Sequence, residues 1–430
     1  MTDPGRMEAG SQEYRLTVLD NGLTVVTEPF SHVRSVAIGV WSRAGSRDEQ
    51  VGREGAAHFL EHMFFKGTKN RTAFDIANEL ERLGGYLNAF TSKDHTCYFT
   101  RILDDHLESA VDVLGDMLQH SLLDPQEVDR EKKVVQEEIK TAIDTPDDWI
   151  HDLFLMDLFG EHPVAHPVLG SQESVDALTD DDLRRFIDRR YRPDNMLVAA
   201  AGSLEHEHVV ELVEKTFTKL SPDPVEPRVE ATPDSPPGTF PHPRDISQVH
   251  VIMGARGHHY LHPDRYALVV LMNLLAGGMS SRLFQSLRER RGLVYTVSSL
   301  TEFYEDTGIT AFYLACAPQN AALATDLIRE ELIGIAEGRT VDESELEGSK
   351  EQLKGHLMLA LESTYSRMAR LAKGLLFEGR VMTLEETLAH IEAVTIEDLV
   401  RTTSSLLSPD ILTTTMLGAV DEADIEGAAQ

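Results

Sequence analysis

Two periodicities alternate along this chain. Where every second residue is apolar the pattern reads as a half-buried strand, and where apolar residues fall three and four apart it reads as a helix. LTVLDNGLTVVTEPF predicts a β-hairpin turning at Asn21-Gly22, a pair that accepts the left-handed backbone of a two-residue turn. VRSVAIGVWSRAG predicts a further strand, YLNAFTSKDHTCYFTRIL a second hairpin, and LESAVDVLGDMLQ a helix after it. Hairpins mixed with helices place the chain in the α+β class, with mainly antiparallel sheets and helices packed on one face of each.

The pattern breaks once. Residues 221–246, SPDPVEPRVEATPDSPPGTFPHPRDI, hold eight prolines, a density that neither a helix nor a central strand tolerates, so this segment predicts an extended linker. The halves on either side echo one another. At a constant offset of 216, Thr179, Asp182, Leu183, Pro193, Asp194 and Gly202 match Thr395, Asp398, Leu399, Pro409, Asp410 and Gly418. Each set describes an N-capped helix, a Pro-Asp turn and an apolar strand ending at glycine. A second echo aligns LERLGGYLNAFTS with LRERRGLVYTVSS at offset 207. Two windows in the same order predict a duplication. The expected organisation is a tail over residues 1–14, a first domain over 15–220, the linker over 221–246, a homologous domain over 247–420 and a tail over 421–430.

Chemistry concentrates at His58-Phe59-Leu60-Glu61-His62, inside a predicted helix between Gly55 and Gly67. Residues four apart share a helical face, so both imidazoles reach one Zn²⁺. Glu61 projects from the same side, where a carboxylate can take the proton of a water whose pKa the ion has lowered to about 7. The order H-x-x-E-H is the inverse of the commoner H-E-x-x-H arrangement. Chance gives roughly one such pentad per ten or more chains of this length, so a third ligand is required. LDPQEVDREKKVVQEEIKTAI offers it. Asp124, Pro125 and Glu127 read as a helix start with cap, first-turn proline and capping-box glutamate. Val128, Val134, Val135 and Ile139 stripe that helix, and Glu131 and Glu138 stand two turns apart on one face. One of the two can bind the ion while the other orients the ligands.

These residues resemble the pitrilysin-type metallopeptidases, a family that includes insulin-degrading enzyme and the mitochondrial processing peptidase. The family pattern places a glutamate about 76 positions beyond the second histidine, with another glutamate seven before it. Here those counts reach Glu138 and Glu131. The resemblance therefore implies a zinc-dependent endopeptidase with His58, His62 and Glu138 as metal ligands, Glu61 as general base and Glu131 as the assisting acid. One step of register would exchange Glu138 for Glu137. It further implies that the strand in GGYLNAFTSKDHTCY offers its edge to the substrate backbone, with Asn88, Ala89 and Phe90 as that edge. It also implies that Arg288 and Tyr295, in GGMSSRLFQSLRERRGLVY, bind the substrate carbonyl and the oxyanion. The chain length matches the half-sized branch of the family, which implies a homodimer whose second domain completes the zinc site of the partner chain. The alternative is a non-catalytic peptide-binding or assembly subunit, such as the family's core proteins, which lose part of the zinc motif.

Charge and cysteine content narrow the partners. The formal net charge of −32 argues against nucleic acid and anionic membranes. It favours cationic peptides if the acid lines a cavity and otherwise keeps the surface solvated. Two cysteines far apart, Cys97 and Cys316, make no disulfide framework, and MTDPGRMEAGSQEYRL lacks the features of a signal peptide. No apolar run is long enough to cross a bilayer. The expectation is a cytoplasmic protein acting on oligopeptides or unfolded segments. His258, His259 and His262 sit in a loop before Pro263 and read as structural rather than metal-binding.

Overall fold

The computed structural model describes residues 14–220, 225, 227–228 and 235–420. The two predicted tails, apart from Tyr14, and most of residues 221–234 lie outside the described residues. Six strands form the first sheet: β1 (Arg15–Val18), β2 (Thr24–Pro29), β3 (Ser35–Ser42), β4 (Tyr86–Thr91), β5 (Thr96–Leu103) and β6 (Met196–Gly202). Their order is β1-β2-β6-β3-β5-β4, with β2 and β6 parallel and all other neighbours antiparallel. Both predicted hairpins are present, and Gly22 takes a positive φ of 94° in the first turn. The accompanying helices are α1 (Ala56–Phe64), α2 (Ala73–Glu81), α3 (Leu107–His120), α4 (Pro125–Asp144), α5 (Pro146–Phe159), α6 (Gln172–Ala177), α7 (Asp180–Arg190) and α8 (His206–Thr216).

The second sheet comprises β7 (Thr239–Pro243), β8 (Val249–Arg256), β9 (Val294–Phe303), β10 (Gly308–Cys316) and β11 (Thr413–Gly418), in the order β7-β11-β8-β10-β9. Here β7 and β11 are the parallel pair. Without β1, the first sheet has the same order and sense, β2-β6-β3-β5-β4, so the echo in the sequence reflects repeated topology. Its details repeat as well. Thr179 and Thr395 each accept from the amide of the third helical residue, Asp182 or Asp398. Gly202 and Gly418 both hold φ above 130° against the backbone of the strand beside them, where a Cβ would collide.

One expectation needs correction. Residues 239–243 were expected to continue the linker, yet they form β7 with Pro241 and Pro243 in it. The strand lies at the sheet edge, where a missing N–H on the outer side costs no ladder bond.

The second set of helices is α9 (Arg265–Ala276), α10 (Ala321–Ala336), α11 (Glu343–Ala360), α12 (Thr364–Lys373), α13 (Leu384–Glu392) and α14 (Ile396–Leu406), with π-helical turns at Phe284–Glu289 and Gly374–Glu378. Each half packs its own helices on one face of its sheet, around Phe59, Leu60, Leu114 and Val135 in the first half and Leu268, Leu271, Ile328 and Leu399 in the second. The opposite faces are covered reciprocally. Helix α12, from the second half, lays Met368, Leu371 and Ala372 on Val26, Trp41 and Ala199 of the first sheet. Helix α5, from the first half, lays Ile150, Phe154 and Phe159 on Ile252, Ala311 and Leu417 of the second. Strand β6 is accordingly buried at every position. Buried Glu28 of β2 anchors the exchange through ion pairs with Arg367 and, at 3.0 Å, Arg370 of α12.

Candidate metal centre

Helix α1 turns Phe59, Leu60, Met63 and Phe64 into the core, which leaves His58, Glu61 and His62 on the face toward α4 and β4. Helix α4 starts at Asp124, whose carboxylate accepts from the Gln126 amide at 2.8 Å, with Pro125 at its first position. Glu127 makes no capping box; it pairs with Arg130 instead. Val128, Val135 and Ile139 are buried as expected, whereas Val134 faces solvent.

The two helices bring His58, His62 and Glu138 together, with one ligand atom from each within 4.8 Å of the others. His62 Nε2 stands 3.5 Å from Glu138 Oε2, and His58 Nε2 stands 3.9 Å from the same oxygen. Two atoms bound tetrahedrally to one zinc ion are about 3.3 Å apart, so these separations suit a shared ion. Oε2 of Glu138 is buried without a hydrogen-bond partner, which leaves its lone pairs for an ion. Glu137 points elsewhere, to Lys140 at 2.7 Å.

Glu131 is buried, 4% exposed, behind His62. Its Oε1 accepts from His62 Nδ1 at 2.8 Å and its Oε2 from Lys66 Nζ at 2.7 Å. That bond selects the tautomer in which His62 Nε2 carries the free lone pair. Glu61 Oε2 accepts from the Thr91 hydroxyl at 2.6 Å, and among the described residues no hydrogen bond engages Oε1.

The electrostatics suit a cation. Burial, helped by neighbouring His62, lowers His58 to about 3, so its imidazole is neutral and able to ligate. Burial works against a charge on His62 too, but the Glu131 bond and the charges of Glu138, Glu131 and Glu61 outweigh it and raise its pKa. Burial pushes the Glu61 carboxyl up, opposed by the Thr91 bond and by His62. Burial opposes ionisation of Glu131, yet the bonds from His62 and Lys66 hold it below the usual range. Three carboxylates around two imidazoles favour positive charge at their centre.

The remaining predicted residues occupy two strand edges. Asn88, Ala89 and Phe90 lie on β4, paired only with β5. The Asn88 side chain bonds the Ala89 amide at 2.9 Å and Tyr86 at 2.6 Å. The Phe90 ring packs inward against Trp41 and His95, so any role of Phe90 at the edge belongs to its backbone. Arg288 and Tyr295 meet across the second sheet's edge, the guanidinium 5.7 Å from the tyrosine ring, and Tyr295 is 72% exposed. Among the described residues, no hydrogen bond or ion pair links this pair to the histidines.

In the second half, the third, sixth and seventh positions of α9 are Ala267, Val270 and Leu271, all buried, where α1 has His58, Glu61 and His62. A second group, His258, His262 and Asp264, also clusters. Its two rings are stacked 3.5 Å apart with their planes 5° from parallel. Parallel stacked rings cannot both aim an in-plane lone pair at one ion, and Asp264 is already held by Arg401.

Residues 24–172 match the description of the insulinase family, peptidase family M16, and residues 177–353 match that of the peptidase M16 inactive domain. An uncharacterised zinc protease of Mycobacterium leprae is 42% identical over 388 residues, covering 89% of this chain and 86% of the relative. The uncharacterised zinc protease YmxG of Bacillus subtilis is 41% identical, covering 88% of this chain and 91% of the relative. A protease from Helicobacter pylori superimposes with a TM-score of 0.87 at 26% identity, over 94% of this chain and 99% of that one. A peptidase M16 inactive domain from Pseudomonas fluorescens shares the fold, with a TM-score of 0.89 at 19% identity, over 95% of this chain and 98% of that one.

Proposed function

The chain belongs to the insulinase family, peptidase family M16, and on that premise we propose that it is a zinc metalloendopeptidase cleaving oligopeptides or unfolded segments. The observation that carries this reading is the convergence of His58, His62 and Glu138 on one point with Glu61 beside them. Nε2 of His58, Nε2 of His62 and the Glu138 carboxylate would hold Zn²⁺. Zinc, when bound, polarises the scissile carbonyl and makes water easier to deprotonate. Glu61 takes the proton from the attacking water through Oε1 and passes it to the leaving amine. Thr91 keeps the other Glu61 oxygen in place, and Glu131 keeps the His62 ring in place. The backbone of Asn88–Phe90 on the open edge of β4 pairs with the substrate as an added strand.

Arg288 and Tyr295 are assigned to the oxyanion of a second copy's site. Their mutual contact, the exposure of Tyr295 and the lack of a bond to this chain's histidines support action across a homodimer. No helix among the described residues is long and apolar enough to cross a membrane. The free, buried thiols of Cys97 and Cys316 suit the reducing cytoplasm.

Cleavage of a mixed peptide library, with and without chelator, tests the activity. Chelator-sensitive turnover that Glu61→Gln abolishes is expected. Turnover that persists in the Glu61→Gln protein refutes the base, and none in the zinc-loaded wild type returns the chain to the peptide-binding alternative. Mixing Glu61→Gln with Arg288→Ala chains tests the dimer: activity returns if Arg288 of the partner subunit serves the site, and stays absent otherwise.

A further inference from the structure

Helix α1 carries both histidines, yet it begins without a cap of its own. Its N-cap is Gly55, which has no side chain to offer, and its first turn contains no acidic residue. Nor can another residue stand there. Gly55 holds φ at 93°, and a Cβ at that position would lie 2.6 Å from the Leu169 carbonyl oxygen. The first amides of the helix therefore need an acceptor from elsewhere.

Glu49 supplies it. Its Oε2 accepts from the Gly55 amide at 2.8 Å and its Oε1 from the Ala57 amide at 2.7 Å. Both oxygens of one carboxyl group thus accept at the positive end of the helix; burial pushes this group's pKa up, and the two amide bonds oppose that by favouring the charged form. Glu49 ends a loop that is itself clamped to the turn after β4. Within that loop Ser46 N–H donates to Ser92 O at 3.0 Å and Arg47 N–H to Lys93 O at 3.1 Å. Arg47 also bonds Asp94 of the turn at 3.0 Å. One short segment therefore grips the end of the β4 edge and the start of the histidine helix.

We infer that Glu49 is a positioning residue for the metal centre, setting where His58 and His62 stand relative to β4 and α4. This goes beyond the proposed activity but rests on its zinc site. A wild-type chain that binds no zinc defeats that reading and says nothing of Glu49.

The test uses the full chain and measures the zinc dissociation constant by competition with a chelating dye, alongside peptide turnover. Glu49→Gln keeps the size but turns an NH₂ group toward an amide donor. Zinc binding is expected to weaken about tenfold and kcat to fall by a similar factor, with KM within about twofold. Glu49→Asp keeps the charge but reaches only one amide, so its zinc affinity falls between the two; it also serves if the glutamine variant fails to fold. Thr395→Ala removes a cap from distant α14 and is expected to lower the unfolding midpoint without altering zinc affinity. The inference is overturned if Glu49→Gln, or Glu49→Asp in its place, binds zinc like the wild type. It is overturned equally if Thr395→Ala weakens zinc binding as much, because the effect is then one of general stability.

Discussion

Substituting Glu131 separates the work of holding zinc from the work of using it. Its carboxylate touches no proposed ligand position; it holds the back of the His62 ring at 2.8 Å and Lys66 at 2.7 Å. In Glu131→Gln the amide oxygen can keep the His62 bond, but the NH₂ then faces the Lys66 ammonium. Lys66 is a third exposed and can swing into solvent, so the main loss is the charge behind the imidazole. Glu131→Ala loses the bond entirely and frees the ring to turn. A hydrogen bond to a charged group contributes about 1.5–3 kcal/mol, and about 1.4 kcal/mol corresponds to tenfold in affinity. Zinc binding is therefore expected to weaken about tenfold in Glu131→Gln and about 100-fold in Glu131→Ala. Dye competition at pH 7 reads this directly. Thermal unfolding at fixed free zinc reads it independently, since each tenfold loss removes about 1.4 kcal/mol of zinc-induced stabilisation under saturating conditions. An alanine variant whose affinity stays within twofold of the wild type would refute the tether.

Thr91→Val removes the hydroxyl that holds Glu61 at little cost in shape; kcat is expected to fall about tenfold with zinc affinity and KM unchanged, and Thr91→Ser to restore it. Glu28→Gln leaves Arg367 and Arg370 without their shared counter-charge, and urea unfolding should show a loss of about 3 kcal/mol; a loss under about 1 kcal/mol would mean the arginines are solvated without it. Asp182 gives a pH signature. Burial opposes its charge, but bonds from Thr179, Arg185 and Arg53 lower its pKa from 3.8 to about 2. A depressed carboxyl stabilises the fold above its unfolded pKa, and this is lost as pH falls through the folded one. The wild type should therefore exceed Asp182→Asn by roughly 2 kcal/mol near pH 6, with the gap closing between about pH 4 and pH 2. A gap constant across that range would contradict the assignment.

What could be read in advance was local. The H-x-x-E-H pentad forms one helical face because i and i+4 positions always do, and the spacing of Glu131 and Glu138 orders them along α4. The Thr179 and Thr395 caps follow from residue type alone. The misses concern what each element meets. Phe154, Leu155, Leu158 and Phe159 make α5 apolar on most sides, which announces burial but not burial against the other half's sheet. Proline density in 221–246 rules out a central strand, and β7 escapes by lying at an edge, a position that depends on a partner about 175 residues away. Glu49 lies seven residues before the first residue of the helix it caps. Its role was hidden because a cap is sought next to the first turn, and here the Leu169 backbone forces a glycine there.

The second half is tied to the loop that precedes the histidine helix. The loop that ends in Glu49 is tied to the second half by salt bridges. Arg47 bonds Asp94 at 3.0 Å and Asp306 at 2.8 Å. Arg228, from the segment between the halves, bonds Asp48 at 2.7 Å and Glu305 at 2.6 Å. Asp48 has no exposed side-chain surface and Arg47 almost none. Buried ions of this kind stabilise little on balance, but each is costly to strip of its partner, so they specify one arrangement rather than merely favour it. The exchange of α5 and α12 acts in the same direction, since neither sheet covers its second face without the other half. Contacts that cross the duplication thus hold the loop whose Glu49 bonds the first amides of α1. A half whose α9 has Ala267, Val270 and Leu271 in place of the two histidines and the glutamate still holds the loop that caps α1.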